Sequence, residues 1–152
     1  MIKITIEDPG AIEMLKGLYA NKLNATSRGA RFAMNSKKRA FKEAVRLTAK
    51  IEGEPATGDP VLALYQITLP RCDVDAPIKA LQDAIEPWIA CKNDRVIRYS
   101  MSFLVRPGKE TKKKPERLPG VVVYLYNAVE EKEAILARVF HLLDWGAVCW
   151  ER

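Results

Sequence analysis

"VLALYQITLPRCDVDAPIKALQDAIE", residues 61–86, changes its hydrophobic period halfway along. Residues 61–69 are apolar on both alternating faces until Gln66, the pattern of a strand in the middle of a sheet. From Ile78 the apolar residues return at helical spacing: Ile78, Leu81, Ile85 and Trp88 form one buried stripe that ends near Ile89. Asp75 can cap this helix and Pro77 suits its first turn. Asp73 and Asp75 therefore fall just beyond a central strand, with Lys79 and Asp83 following at i+4 and i+8 from Asp75, opposite the buried stripe.

Outward from this unit the same alternation of strand and helix continues. "CKND", residues 91–94, turns the chain into a strand in which Ile97, Tyr99, Met101, Phe103 and Val105 alternate with Arg98, Ser100 and Ser102, giving one wet face. A basic loop, "RPGKETKKKPERLPG" (106–120), precedes a last strand, "VVVYLY" (121–126). The final helix, about Glu130 to Leu143, has a broad apolar face of Ile135, Leu136, Val139, Phe140 and Leu142. On the N-terminal side, a strand at Ile2 to Ile6 and a short helix at Ala11 to Tyr19 lead to a polar, basic loop from Asn21 to Asn35. Asn35 or Ser36 can cap the next helix, which sets Phe41, Val45, Thr48 and Ile51 inward. Lys38, Lys42, Arg46 and Lys50 form a ridge at four-residue steps, and Lys37, Lys38 and Arg39 crowd what reads as its first turn. A bound phosphate would relieve that crowding. Residues 52–60, "EGEPATGDP", are a turn-rich connection to the opening strand. The sum is one α+β domain over residues 1–152, a mixed sheet packed with helices, with no internal repeat.

Charge narrows the function classes. Residues 21–50 carry nine Lys or Arg against one acid, Glu43, so a net +6 chain concentrates a surplus of eight in one segment while the remainder sums to −2. Such a block points to a phosphate-facing surface; on charge alone an anionic membrane would also fit. No apolar run has membrane-spanning length. The N-terminus alternates like a strand and turns acidic, without the features of a secretory signal, which reads as cytoplasmic. Cys72, Cys91 and Cys149 show no CxxC spacing and His141 is the one histidine, so a zinc site cannot be assembled. His141, in an apolar helix, reads as structural; Trp88, Trp145 and Trp150 read as core or interface aromatics. "TSRGAR" (26–31) follows no strand and is not a nucleotide-binding loop.

Taken alone, the acidic segment has an ordinary reading: a helix cap, a loop aspartate and an exposed Lys79–Asp83 pair. The order of elements around it adds more. "CDVDAPIKALQDAIE" followed by "NDRVIRY" resembles the RusA family of Holliday-junction resolvases, whose pattern is D-x-D-N, a helical lysine, an Asp-Ala pair and a paired acidic turn before the next strand. Upstream, "NKLNATSRGARF" and "SKKRAFKEAVRLTAKIEG" stand where that family has an Asn- and Arg-rich loop and its helix. The resemblance covers roughly residues 21–127; the N-terminal helix and the C-terminal helical extension, 130–152, lie outside it. Two positions depart from the pattern: Ala76 replaces the asparagine after the second aspartate, and Asn93 replaces the first acid of the pair, leaving Asp94.

The resemblance implies a RusA-like fold and a metal-dependent crossover junction endodeoxyribonuclease of DNA recombination and repair, bacterial or phage-encoded, acting as a homodimer on branched DNA. It assigns Asp73, Asp75 and Asp94 as ligands of Mg²⁺ or Mn²⁺ and as catalytic residues together with Lys79, which would offset charge on the phosphorus, with Asp83 behind them. Three carboxylates about 4 Å apart would repel by around 4 kcal/mol per pair at an effective dielectric near 20, and a divalent cation removes that repulsion. The cations expected to hold the DNA are Arg28, Arg31, Lys37, Lys38, Lys42, Arg46 and Arg71. Two other readings stand beside it: a non-catalytic nucleic-acid-binding module with a decayed acidic site, and an RNA- or flap-directed nuclease.

Overall fold

A computed structural model describes residues 1–20, 28–54, 60–70, 77–89, 97–105, 108 and 118–150. In chain order they form β1 (Ile2–Ile6), α1 (Pro9–Ala20), α2 (Arg28–Thr48), β2 (Lys50–Gly53), β3 (Val61–Thr68), α3 (Ile78–Ile85) with a 3₁₀ turn Glu86–Trp88, β4 (Ile97–Val105), β5 (Gly120–Asn127) and α4 (Lys132–Trp150). The strands make one sheet in the order β2-β1-β5-β3-β4. Only β3 and β4 run parallel; β1 with β2, β1 with β5 and β3 with β5 are antiparallel. A parallel pair needs a crossover, and α3 lies in it. The result is the single α+β domain with a mixed sheet that the period changes imply, and β3 is an interior strand, as its two apolar faces require.

The core has two parts because both sheet faces are covered. On one face Ile2, Ile4, Ile6, Val61, Ala63, Tyr65, Ile67, Val121, Val123 and Leu125 pack with α1, α2 and α3 through Leu15, Phe41, Val45, Leu81 and Ile85. On the other, Leu64, Tyr124 and Tyr126 pack with Ile135 and Leu142 of α4, joined by Leu62, Phe103, Val122 and Val139. The Arg138 guanidinium lies 4.5 Å from the Tyr124 ring centroid, a cation–π contact that pins α4 over β5. Burial pushes the Tyr126 hydroxyl above its ordinary pKa, and the facing Arg138 partly offsets that.

Local chemistry explains several boundaries. The Asp8 carboxylate accepts a 2.8 Å hydrogen bond from the Ala11 amide at the start of α1, and Pro9 occupies the first helical position, where no amide hydrogen is needed. Asn127 ends β5 by accepting bonds from the amides of Val129 and Glu130 at 3.0 and 3.1 Å, while its own amide donates to Glu131 at 2.8 Å. Gly53, at φ 91°, closes β2; a Cβ there would lie 2.5 Å from the Met1 carbonyl oxygen.

Several expectations are corrected. The helix expected from Ser36 begins at Arg28, so residues 28–35 are helical and Asn35 and Ser36 are interior rather than caps. Lys37, Lys38 and Arg39 then sit in the third turn, beyond the reach of the helix dipole, and the crowding argument lapses. Thr48 ends α2 exposed, and Lys50 and Ile51 belong to β2, which pairs with β1. For α3, Pro77 rather than Asp75 holds the flanking position, itself helical at φ −84° and ψ −12°. On β4 a register shift between Val61 and Leu62 puts Ile97 on the α1–α3 face, while Tyr99, Met101, Phe103 and Val105 share the α4 face with Leu62 and Leu64. Tyr99 and Met101 nonetheless stay 56% and 43% exposed, because β4 is an edge strand. The broad α4 face divides: Ile135 and Leu142 are buried, whereas Leu136 and Phe140 are exposed. His141 points to solvent rather than into a core. Trp88 is half-buried against the α-side core. Among the described residues no helix is long and apolar enough to cross a membrane.

Candidate nucleic-acid interface

α2 is long and unevenly packed. Its second half is held by Phe41 and Val45, fully buried against the sheet side, and the helix touches both α1 and α3. At 100° per residue, Arg28, Arg31, Lys38, Lys42 and Arg46 fall within roughly 80° of one another, along about 27 Å of helix. The longer helix thus brings Arg28 and Arg31, expected on a loop, onto the same flank as the ridge. Arg39 lies at the edge of this flank; Lys37 lies roughly 100° round on the other side of Lys38 and does not belong to it.

Acids temper the far end of the ridge. Lys42 pairs with Glu86 of the 3₁₀ turn at 3.5 Å, tying α2 to the end of α3, and Arg46 pairs with Glu43 at 3.1 Å. The Arg46–Glu43 pair is solvent-exposed and the longer Lys42–Glu86 pair half-exposed, the kind of surface pair worth roughly 0–1 kcal/mol, so a polyanion can displace them. Lys50, displaced onto β2, donates to Glu7 at 2.9 Å, and that bond holds its ammonium above the ordinary lysine value. Among the described residues Arg31, Lys37, Lys38 and Arg39 form no ion pair. The uncompensated charge is therefore concentrated in the middle and first half of α2.

Of the acidic site, the described residues include Lys79 and Asp83. They sit on the outer side of α3, joined at 2.9 Å as an i,i+4 pair, with Asp83 the more sheltered. Leu81, Ala84 and Ile85 turn the opposite side of α3 into the core. Asp73, Asp75, Asp94 and Arg71, with Ala76 and Asn93, lie outside the described residues, as do Cys72 and Cys91; the same holds for the side chains of Arg28, Trp145, Trp150 and Cys149. In sequence, the D-x-D follows the Thr68 end of β3 and Asp94 precedes the Ile97 start of β4; in this parallel pair Thr68 stands beside Val105 and Ile97 beside Val61, so the two segments adjoin opposite ends of the strands. Among the described residues no group of three His, Cys, Asp or Glu could hold a metal ion.

One residue of this interface was not anticipated. Phe32, on the first half of α2, is 78% exposed, the most exposed large hydrophobic side chain among the described residues. Its signal was in the sequence: the helical neighbours at i+3 and i+4 are Asn35 and Ser36, so no apolar stripe claims it. Comparison with protein-family models, curated proteins and solved structures finds no match to this chain.

Proposed function

We propose that the chain is a Mg²⁺-dependent, structure-specific endonuclease that nicks four-way DNA junctions in opposed strands. The observation that carries the nucleic-acid part is the cationic flank of α2, aligned along about 27 Å and set against α3. A phosphate backbone laid along that flank would meet Arg31, Lys38 and Lys42 in turn, with the Glu86 and Glu43 pairs opening to release Lys42 and Arg46. Support for the catalytic part is the order of residue types in the sequence: D-x-D, a helical lysine, then Asn-Asp.

Asp73, Asp75 and Asp94 offer oxygen donors alone, the set that suits Mg²⁺ or Mn²⁺ rather than zinc. The ion, when bound, would supply Lewis-acid polarisation of the scissile phosphate. The chain's own contribution is to hold the strand on α2 and to offer the Lys79 ammonium, on the outer side of α3, to the charge that develops on the phosphoryl oxygens. That requires Lys79, the exposed partner of the pair, to exchange part of its bond to the more sheltered Asp83 for the substrate. A two-fold dimer would present two such sites to a two-fold substrate.

Ala76 and Asn93 favour a second reading, a binding module that keeps the cationic flank and has lost cutting. Incubating the protein with a labelled four-way junction, a linear duplex and single-stranded RNA, each with Mg²⁺ or with chelator, separates the readings. Paired nicks in the junction alone, abolished by chelator, are expected. Tight binding with every strand intact in both Mg²⁺ and Mn²⁺ would leave the module, and cutting of RNA alone would redirect the substrate.

A further inference from the structure

We propose that Phe32 is a stacking residue that reads unpaired or branch-point nucleobases, and so gives the cationic flank its preference for nucleic acid that is not plain duplex. The proposal rests on the nucleic-acid reading above and not on the catalytic one.

An isolated exposed phenylalanine is common on protein surfaces and by itself means little. The setting of this one is different. Among the residues of the first half of α2 whose burial is described, Gly29, Arg31, Phe32, Ala33, Asn35, Ser36, Lys37, Arg39 and Ala40 are exposed, and Met34 and Lys38 are half-buried. This part of the helix therefore projects from the core with solvent on most sides, and little packing holds Phe32 in place. Arg31 and Arg39, neither in an ion pair among the described residues, are on the same projecting segment. Asn35 and Ser36 stand one turn after Phe32, so on that side the ring is flanked along the helix by exposed polar residues rather than by other apolar groups.

Charge complementarity selects the occupant. A second copy of this chain would bring the same cations against these and be repelled, and a neutral apolar partner would have to desolvate them. A polyanion that also carries aromatic faces satisfies both features at once: phosphates take the arginines and a base takes the ring. The ring can do this only where a base face is accessible. Duplex interiors bury those faces against neighbouring pairs, whereas single strands and the centre of a junction expose them. Backbone contacts from Arg31, Lys38 and Lys42 would then supply affinity for any duplex, and Phe32 the margin between duplex and open or branched strands.

The test is equilibrium binding by the full chain in chelator, so that cleavage plays no part, to a fluorescent single-stranded DNA, the matching single-stranded RNA, a blunt duplex and a four-way junction. Phe32→Ala should weaken single-strand and junction binding by roughly 5- to 150-fold, the factor expected for one lost base stack, and leave duplex affinity within about twofold. Phe32→Trp should restore it. A 2-aminopurine at the branch point should change its fluorescence with wild-type protein and not with Phe32→Ala. Equal weakening on DNA and RNA single strands would fit stacking; loss on one alone would identify which of them is read. Unchanged affinity for all four nucleic acids, or an equal loss on duplex and open strands, would overturn the proposal. So would a change in oligomeric state on Phe32→Ala, since Phe32 would then be a contact between copies. Wild-type protein that binds none of the four would overturn the nucleic-acid reading itself, an outcome distinct from wild-type binding that ignores Phe32.

Discussion

Tyr65 shows how far this core tolerates a polar atom for the sake of an aromatic ring. Its side chain is completely buried on the α1–α3 face, and its hydroxyl, though it looks toward Gln82, forms no hydrogen bond among the described residues. Burial therefore drives its pKa well above the ordinary 10.0, with Gln82 offsetting only part. Removing an unsatisfied hydroxyl while keeping the ring should cost nothing, so Tyr65→Phe is expected to match wild-type stability or exceed it by up to about 1 kcal/mol in denaturant titration. The pH dependence has a definite sign. A raised folded-state value means that the unfolded chain gives up the proton first, so this contribution is complete below pH 10 and is lost as pH climbs above it. Wild type should lose stability above that pH more steeply than Tyr65→Phe. A variant that is clearly less stable at neutral pH would show that a water or side chain satisfies the hydroxyl. Asp75 belongs to the same scale with the opposite logic. Asp75→Asn keeps the side chain's size and, since Pro77 flanks α3, should change stability little, yet it removes a charge that an all-carboxylate metal set requires. Junction cleavage should fall by orders of magnitude while binding in chelator survives; undiminished cleavage would remove Asp75 from the site.

At the scale of elements, α2 carries the functional argument, and replacing Lys38, Lys42 and Arg46 together by Ala is the measurement that weighs it. Each lost phosphate contact should flatten the dependence of log affinity on log salt by about 0.9. Glu86→Gln should do the reverse and tighten binding, because it frees Lys42 from its 3.5 Å partner. If the triple variant keeps both affinity and salt slope, the flank is only a solvated surface. The same helix shows what was legible in the sequence. Phe41 and Val45 announced the buried stripe, but Asn35 and Ser36 look like caps, and no local rule shows that a helix already under way will run through them. β2 was hidden for a different reason: its four residues, Lys50–Gly53, are all exposed, so neither period marks them, and only their pairing with β1 makes a strand. On β4 the strand was legible but its faces were not: Ile97 lies on the opposite face from Tyr99, and burial depends on which strand stands at the sheet edge, a property of the order β2-β1-β5-β3-β4 and not of the segment. For the candidate site, the residue types and their order were fully legible. Whether carboxylates from two segments meet is a matter of tertiary placement, and the described residues extend to Lys79 and Asp83 of that group.

For the whole molecule, the question is what covers the β4 edge. The opposite edge, β2, is short and carries Lys50 and Glu52, both devices that discourage strand addition. β4 is nine residues long, and of its exposed residues only Arg98 is charged. Its Tyr99 and Met101 look to the α4 side of the sheet, where Leu136, Phe140 and Leu143 form an exposed stripe on the flank of α4 opposite Arg138. α4 touches β4, so this stripe and the exposed Tyr99 and Met101 belong to the same side of the sheet. Under the proposed junction-nicking function, these exposed apolar residues are the seat we assign to its two-fold dimer, in which each copy would bury on the order of 800 Å². Light scattering should therefore show a dimer at micromolar concentration. The double variant Met101→Glu with Phe140→Glu should be a monomer whose melting temperature changes little, because both side chains are already exposed in a single chain. It should still bind one junction arm through α2 but lose the coordinated nicking of opposed strands. A wild-type monomer that nevertheless cuts both strands symmetrically at low concentration would break the link between this surface and the substrate's symmetry, unless the junction itself brings two copies together, which sedimentation of the DNA complex would reveal.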